Sequence, residues 1–61
     1  MKIYIIYAGD EPVASNRDKK KAIAEAKAKY PHRPMVGILR DMSTGKDSSG
    51  FYVGTVSFLG N

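Results

Sequence analysis

The sequence predicts a small α+β fold, in which a mainly antiparallel sheet of three or four strands carries one helix across one face, in the order β-(β)-α-β-β. Residues 2–8 are rich in isoleucine and tyrosine, as is typical of a strand, and residues 19–30 are rich in alanine and lysine, as is typical of a helix. Two further apolar stretches follow Pro34. A chain of 61 residues holds these elements in a single domain, residues 1–61.

The first strand is expected to end at a turn formed by residues 9–12, which contain a glycine, two acids and a proline. Residues 13–15 then form a short returning strand. Pro12 restricts that strand to the edge of the sheet, because proline has no N–H group to donate to a second neighbour.

The helix is predicted to begin after a cap formed by Ser15, Asn16 or Asp18, and to end before Pro31. At about 100° per residue its apolar side chains fall on one narrow stripe, which we expect to pack on the sheet. The stripe is formed by Ala22, Ile23, Ala26 and Tyr30, and we expect it to contact Ile3, Ile5 and Tyr7 of the first strand.

Two strands are predicted after the helix, at residues 35–42 and 51–59. The segment between them, residues 43–50, consists of serine, threonine, glycine and charged residues. It is too long for a two-residue turn, so we expect a polar loop there.

Both faces of the first and last predicted strands carry large apolar groups, whereas a half-solvated sheet alternates apolar with polar residues. One helix covers only one face. The other face therefore displays aromatic and aliphatic side chains, which indicates an interface unless they are ordinary exposed residues of a small sheet. The residues predicted for this partner-binding face are Tyr4, Ile6, Tyr52 and Phe58; a register slip of one residue would place Phe51 there instead of Tyr52.

The basic character of the chain is concentrated in one segment. The formal net charge is +4, and residues 16–33 alone carry +5, from seven basic and two acidic side chains. We expect a basic surface that meets phosphates or an acidic protein, or that serves only as a solvated helix face. Its residues are Arg17, Lys20, Lys21, Lys27 and Arg33.

Groups suited to catalysis or metal binding are scarce in the sequence. There is no cysteine, and a single histidine, His32, cannot form a structural zinc site alone. Gly45 and Lys46 lack the other residues of a phosphate-binding loop, and Asp41 and Ser43 lack the spacing and the final acid of a calcium loop. We therefore expect a binding protein and not an enzyme, with no cofactor and no metal.

The absence of cysteine fits a reducing compartment. The apolar run at residues 3–8 is too short for a signal-peptide core or a membrane span, and acidic residues follow it closely. The sequence thus predicts a cytoplasmic protein with no membrane partner.

One stretch of the chain resembles a known family. Residues 40–53 look like the passage that leads into the RNP1 strand of RNA-recognition-motif domains, and residues 3–5 are similar to the start of their RNP2 strand. The resemblance implies that the two strands lie side by side and that Tyr4 and Phe51 stack on single-stranded bases. Ser49 stands where the family has a basic residue, and the family's second helix and fourth strand have no counterpart.

Three functions fit these observations. The first, which we favour, is a small non-enzymatic protein that attaches to a larger protein and modulates or inhibits it, as phage proteins of this size often do. The alternative is a nucleic-acid-binding module that uses the basic helix and the aromatic sheet face. A symmetric homodimer is the third, since self-association compensates for the thin core of a short chain.

Overall fold

A computed structural model describes residues 1–53, apart from the side chain of Ser49. It confirms the predicted α+β fold: one helix packs on an antiparallel sheet of strand order β2-β1-β3-β4. The elements are β1 (Lys2–Ala8), β2 (Glu11–Asn16), α1 (Lys19–Lys29), β3 (Met35–Asp41) and β4 (Lys46–Val53).

The returning strand β2 is longer than predicted, because the turn before it needs only Gly9 and Asp10. Gly9 has a φ of 65°, a left-handed conformation that glycine adopts without strain. Pro12 lies within β2 at an edge of the described sheet, as predicted. A bulge opposite Ile6 and Tyr7 makes Val13 an extra residue in the strand, and both Val13 and Ala14 are buried in the core.

The helix begins at the cap Asp18, whose carboxylate accepts a hydrogen bond of 2.9 Å from the backbone N–H of Lys20. It ends at Tyr30, whose N–H donates to the carbonyl of Ala26. Ala22 and Ala26 are both 0% exposed, so the helix approaches the sheet closely at these two positions. Within residues 1–53, no helix is long and apolar enough to cross a membrane.

The predicted polar loop at residues 43–50 is wrong. A turn of four residues, 42–45, leads directly into β4, and Lys46 already pairs with Asp41. The carbonyl of Asp41 accepts a 2.7 Å hydrogen bond from Gly45, which has a φ of 75°. Pairing with β3 overrides the low strand propensity of the polar residues that follow Lys46. The part of the last predicted strand beyond Val53 lies outside the described residues.

The helix packs on the face of β1 opposite to the one predicted. It covers Tyr4, Ile6 and Ala8, whereas Ile3, Ile5 and Tyr7 point to the other side of the sheet. Alternation could not decide between the two faces, because both are apolar. The core consists of Ile6, Ala8, Val13, Ala14, Ala22, Ala26, Met35 and Val53, with Tyr4, Ile23, Tyr30 and Phe51 partly buried around it.

Candidate functional site

The strand register defines which residues share the sheet face that points away from α1, here called the open face. Tyr7 pairs with Val36, and Val36 pairs with Tyr52, so these three side chains form one row across β1, β3 and β4. Ile5 and Ile38 form the next row. Within the described residues, the open face comprises Ile3, Ile5, Tyr7, Val36, Ile38, Arg40, Asp47 and Tyr52 of β1, β3 and β4, together with Pro12 and Ser15 of β2.

Two residues of the open face are large apolar side chains that remain well exposed. Tyr52 is 62% exposed and Val36 is 46% exposed, although they are direct neighbours in the sheet. Ile3, Tyr7 and Ile38 around them are half-buried, and Ile5 is buried with only 8% exposed. The exposed apolar groups are therefore contiguous, which distinguishes this patch from single surface residues.

An ion pair forms one end of the open face. Arg40 and Asp47 are paired across β3 and β4, and their side chains meet at two points: Nε to Oδ1 at 2.6 Å and Nη2 to Oδ2 at 3.3 Å. The hydrogen bond from Arg40 holds the pKa of the Asp47 carboxyl below its usual value, and the same contact raises the pKa of Arg40. The two charges cancel, so the open face carries no net charge.

A shallow groove of about 490 Å³ borders the open face on the β1 and β2 side. Ile3, Ile5, Tyr7 and Arg40 contribute to its wall together with residues of β2 and α1. The open face is thus not uniformly flat, since this depression lies beside it.

Of the three predicted partner-binding residues that the structure describes, only Tyr52 lies on the open face. Ile6 is fully buried under the helix, and Tyr4 packs against the core on the same side, so their predicted placement was wrong. Phe58 lies outside the described residues. Prediction from the sequence missed Ile3, Ile5, Tyr7, Val36 and Ile38. The sequence held one signal for their position. Ala8 and Ala14 are small, and small sheet residues mark the face that an alanine-lined helix can approach closely, so the opposite face is the one left open.

The predicted basic surface is exposed at all five positions, Arg17, Lys20, Lys21, Lys27 and Arg33, and its three lysines lie on the helix. Arg33 stacks on the ring of Tyr30, with 5.2 Å between its Cζ and the ring centroid. The other four form no ion pair with a carboxylate of residues 1–53. Two further lysines of the helix contact the sheet: Lys29 donates to the carbonyl of Val13, and Lys19 lies over the ring of Phe51.

The strand arrangement contradicts what the RNA-recognition-motif resemblance implies. Phe51 lies on β4, which borders β3 and not β1, so the two strands that resemble RNP1 and RNP2 are not neighbours. Tyr4 and Phe51 do meet, with ring centroids 5.9 Å apart, but they do so across β3 and against the core. Gly37 and the ammonium of Lys19 lie against the Phe51 ring, and both rings are half-buried, so they do not form the exposed pair that the resemblance implies.

No group of three or more histidine, cysteine or acidic side chains that could hold a metal ion occurs within residues 1–53. Asp41 and Ser43 of the weak calcium-loop pattern take part in a turn. The carboxylate of Asp41 accepts a 2.9 Å hydrogen bond from the backbone N–H of Ser43, which lowers the pKa of Asp41.

The chain matches no protein-family model, no curated protein and no solved structure.

Proposed function

We propose that this chain is a small non-enzymatic binding protein, which attaches through its open face to a larger protein and modulates or inhibits it. The row Tyr7, Val36 and Tyr52 carries the proposal, since it places an exposed tyrosine and an exposed valine side by side at the surface of a sheet. Burial of such a pair in a complex removes apolar area from water.

The composition of the open face is that of a protein interface. Tyrosine is enriched at the energetic centres of interfaces, because it buries a large ring at a low cost in side-chain entropy and keeps a polar hydroxyl. The aliphatic residues beside Tyr52 exclude water, and the ion pair of Arg40 with Asp47 stands at the border, where a polar rim is expected.

The position of the charges separates this mode of binding from phosphate binding. The basic surface lies on the helix side, so a partner seated on the open face does not meet Lys20, Lys21 or Lys27. We therefore expect the affinity for the protein partner to depend only weakly on salt, through long-range attraction to the net positive charge.

Site-specific crosslinking tests the proposal directly. A photoreactive phenylalanine analogue in place of Tyr52 is expected to crosslink one defined larger protein in cell lysate. The same analogue in place of Lys20 serves as the control, since Lys20 is exposed on the helix side. Crosslinking of the same proteins from both positions, or of none from Tyr52, would contradict the proposal.

Substitution supplies the energetic test once the partner is known. Tyr52→Ala is expected to weaken binding by about 2 kcal/mol or more, as for a central interface residue, and to leave the fold intact. Met42→Ala is the matched control, because Met42 is 49% exposed but lies in the turn between β3 and β4. Equal effects of the two changes would argue against the open face.

The alternative function, nucleic-acid binding, rests on the four cations of the basic surface that form no ion pair within residues 1–53. If they contact phosphates, the chain is retained on single-stranded DNA or RNA. Replacement of Lys20, Lys21 and Lys27 then reduces the salt dependence by about 0.7–0.9 log unit per lost contact. Retention that the triple variant abolishes and that Tyr52→Ala leaves unchanged would replace the protein-binding proposal with this one.

A further inference from the structure

We propose that the open face also pairs two copies of this chain, and that the homodimer and the complex with the protein partner exclude each other. The homodimer is argued from the residues of the open face alone, whereas the competition between homodimer and partner complex rests on the proposed function.

The distribution of charge favours the open face for self-association. Arg40 and Asp47 neutralise each other there, so two open faces meet without like charges opposite one another. The helix side differs, because Lys20, Lys21 and Lys27 of the helix are exposed and form no ion pair within residues 1–53. Two copies that met through their helices would bring these cations together, which costs free energy.

The geometry of the open face suits a two-fold arrangement. In a symmetric dimer each copy contributes the same patch, so that patch must be complementary to itself. The row of Tyr7, Val36 and Tyr52 and the row of Ile5 and Ile38 lie side by side. Two sheets packed face to face, roughly 10 Å apart, interdigitate such rows, and apolar side chains then cover apolar side chains.

The size of the patch sets the strength of the pairing. At the usual strand spacing and rise, three strands of seven residues span roughly 14 Å by about 24 Å. The area of such a rectangle is less than the roughly 800 Å² per partner of a stable interface. We therefore expect a dissociation constant in the micromolar range or weaker. A weak dimer covers the apolar row at high concentration and yields the same surface to a partner that binds more tightly.

Sedimentation equilibrium from low micromolar to about 1 mM protein tests the pairing. The average mass is expected to rise from the monomer mass of 6.7 kDa toward twice that value. Tyr52→Lys should remain at the monomer mass throughout, because it places a charge in the buried row, and circular dichroism should show that it folds. Met42→Lys adds the same charge outside the open face and should dimerise like the parent.

A parent chain that stays at 6.7 kDa at the highest concentration overturns the inference, as does a dimer that survives Tyr52→Lys. The photoreactive analogue in place of Tyr52 identifies the occupant in purified protein. A crosslinked species of twice the monomer mass supports the pairing. A crosslink within one chain, to the residues that follow Val53, contradicts it, because the face is then covered internally.

Failure of the inference is distinguishable from failure of the proposed function. A chain that is monomeric but crosslinks a partner from Tyr52 retains the function and loses the homodimer. A dimer that Tyr52→Lys dissolves, with partner binding unchanged, retains the homodimer and places the partner elsewhere. If both hold, added partner should lower the dimer fraction in proportion to the complex formed.

Discussion

The phenyl ring of Phe51 lies directly over Gly37, the residue opposite it on the neighbouring strand β3. A Cβ atom at Gly37 would overlap three carbon atoms of the ring. The ring also meets Tyr4 edge-on, at an interplanar angle of 67°, and the ammonium of Lys19 lies 4.6 Å from its centroid. Glycine weakens a strand because it has no side chain to pack, and here an aromatic ring from the next strand fills that space.

Gly37→Ala is therefore expected to destabilise the protein by about 1–3 kcal/mol, as overpacking of a core does, because the ring of Phe51 must move. Chemical denaturation monitored by circular dichroism measures the loss. Gly50→Ala is the matched control on β4, since a Cβ there meets nothing within 4 Å and the cost should be small.

A double-mutant cycle tests whether the ring is the cause. In a Phe51→Ala background the space over Gly37 is empty, so the added cost of Gly37→Ala should largely vanish. Costs that simply add would show that Gly37 needs glycine for another reason.

The end of the helix is tied to the edge strand by Lys29, whose ammonium donates a 2.9 Å hydrogen bond to the carbonyl of Val13. Lys29→Met keeps the aliphatic stem and removes the donor, and we expect it to cost about 1 kcal/mol. Lys27→Met removes an equal charge from an exposed position of the same helix turn and should be nearly neutral. If both variants lose the same stability, the effect is one of net charge and not of the bond to Val13.

The start of the helix depends on Asp18 more than an ordinary cap does. The first turn contains Lys19, Lys20 and Lys21 and no acidic residue, so its charges oppose the helix dipole. Asp18→Ala is expected to cost about 1–2 kcal/mol, whereas Asp18→Asn keeps the hydrogen bond and loses only the charge. The free energies of unfolding of Asp18→Ala and Asp18→Asn should differ by the same amount at all salt concentrations, because neither variant carries the charge. The greater stability of the parent over either variant should shrink as salt is added.

We expect the stability of the fold to depend on acid pH through Asp47 and Asp41. The hydrogen bond from Arg40 lowers the pKa of Asp47, and the backbone N–H of Ser43 lowers the pKa of Asp41. A carboxyl group with a lower pKa in the folded chain stabilises it fully above the unfolded pKa of about 3.9, and this contribution is lost as the pH falls through the folded value.

The melting temperature should thus fall as the pH is lowered from about 5 to about 2. The change should be modest, since both carboxyl groups are partly exposed to solvent, which screens their interactions. A variant that carries Asp41→Asn and Asp47→Asn should show a flatter profile over that range. An unchanged slope would mean that other carboxyl groups cause the acid sensitivity.

Local chemistry in the sequence determined most of the elements. Strand formers at residues 2–8, a cap and alanine-rich helix formers from Asp18 onward, and Pro12 at an edge each act through neighbours in the chain, so their outcome could be predicted. The polar stretch after Gly45 could not, because its strand conformation comes from pairing with β3 and not from its own propensity.

The location of the candidate site was decided by the tertiary structure alone. Both faces of β1 are apolar, so alternation is consistent with a helix on either one. Close packing made the choice: Ala22 and Ala26 approach the side of Ala8 and Ala14, Ile6 becomes the centre of the core, and Tyr52 is left exposed on the other side. The sequence by itself determined that the sheet would keep an apolar face on the side away from a basic helix. Only the packing of the helix decided which side chains that face displays, because side chains of adjacent strand residues point to opposite sides of the sheet.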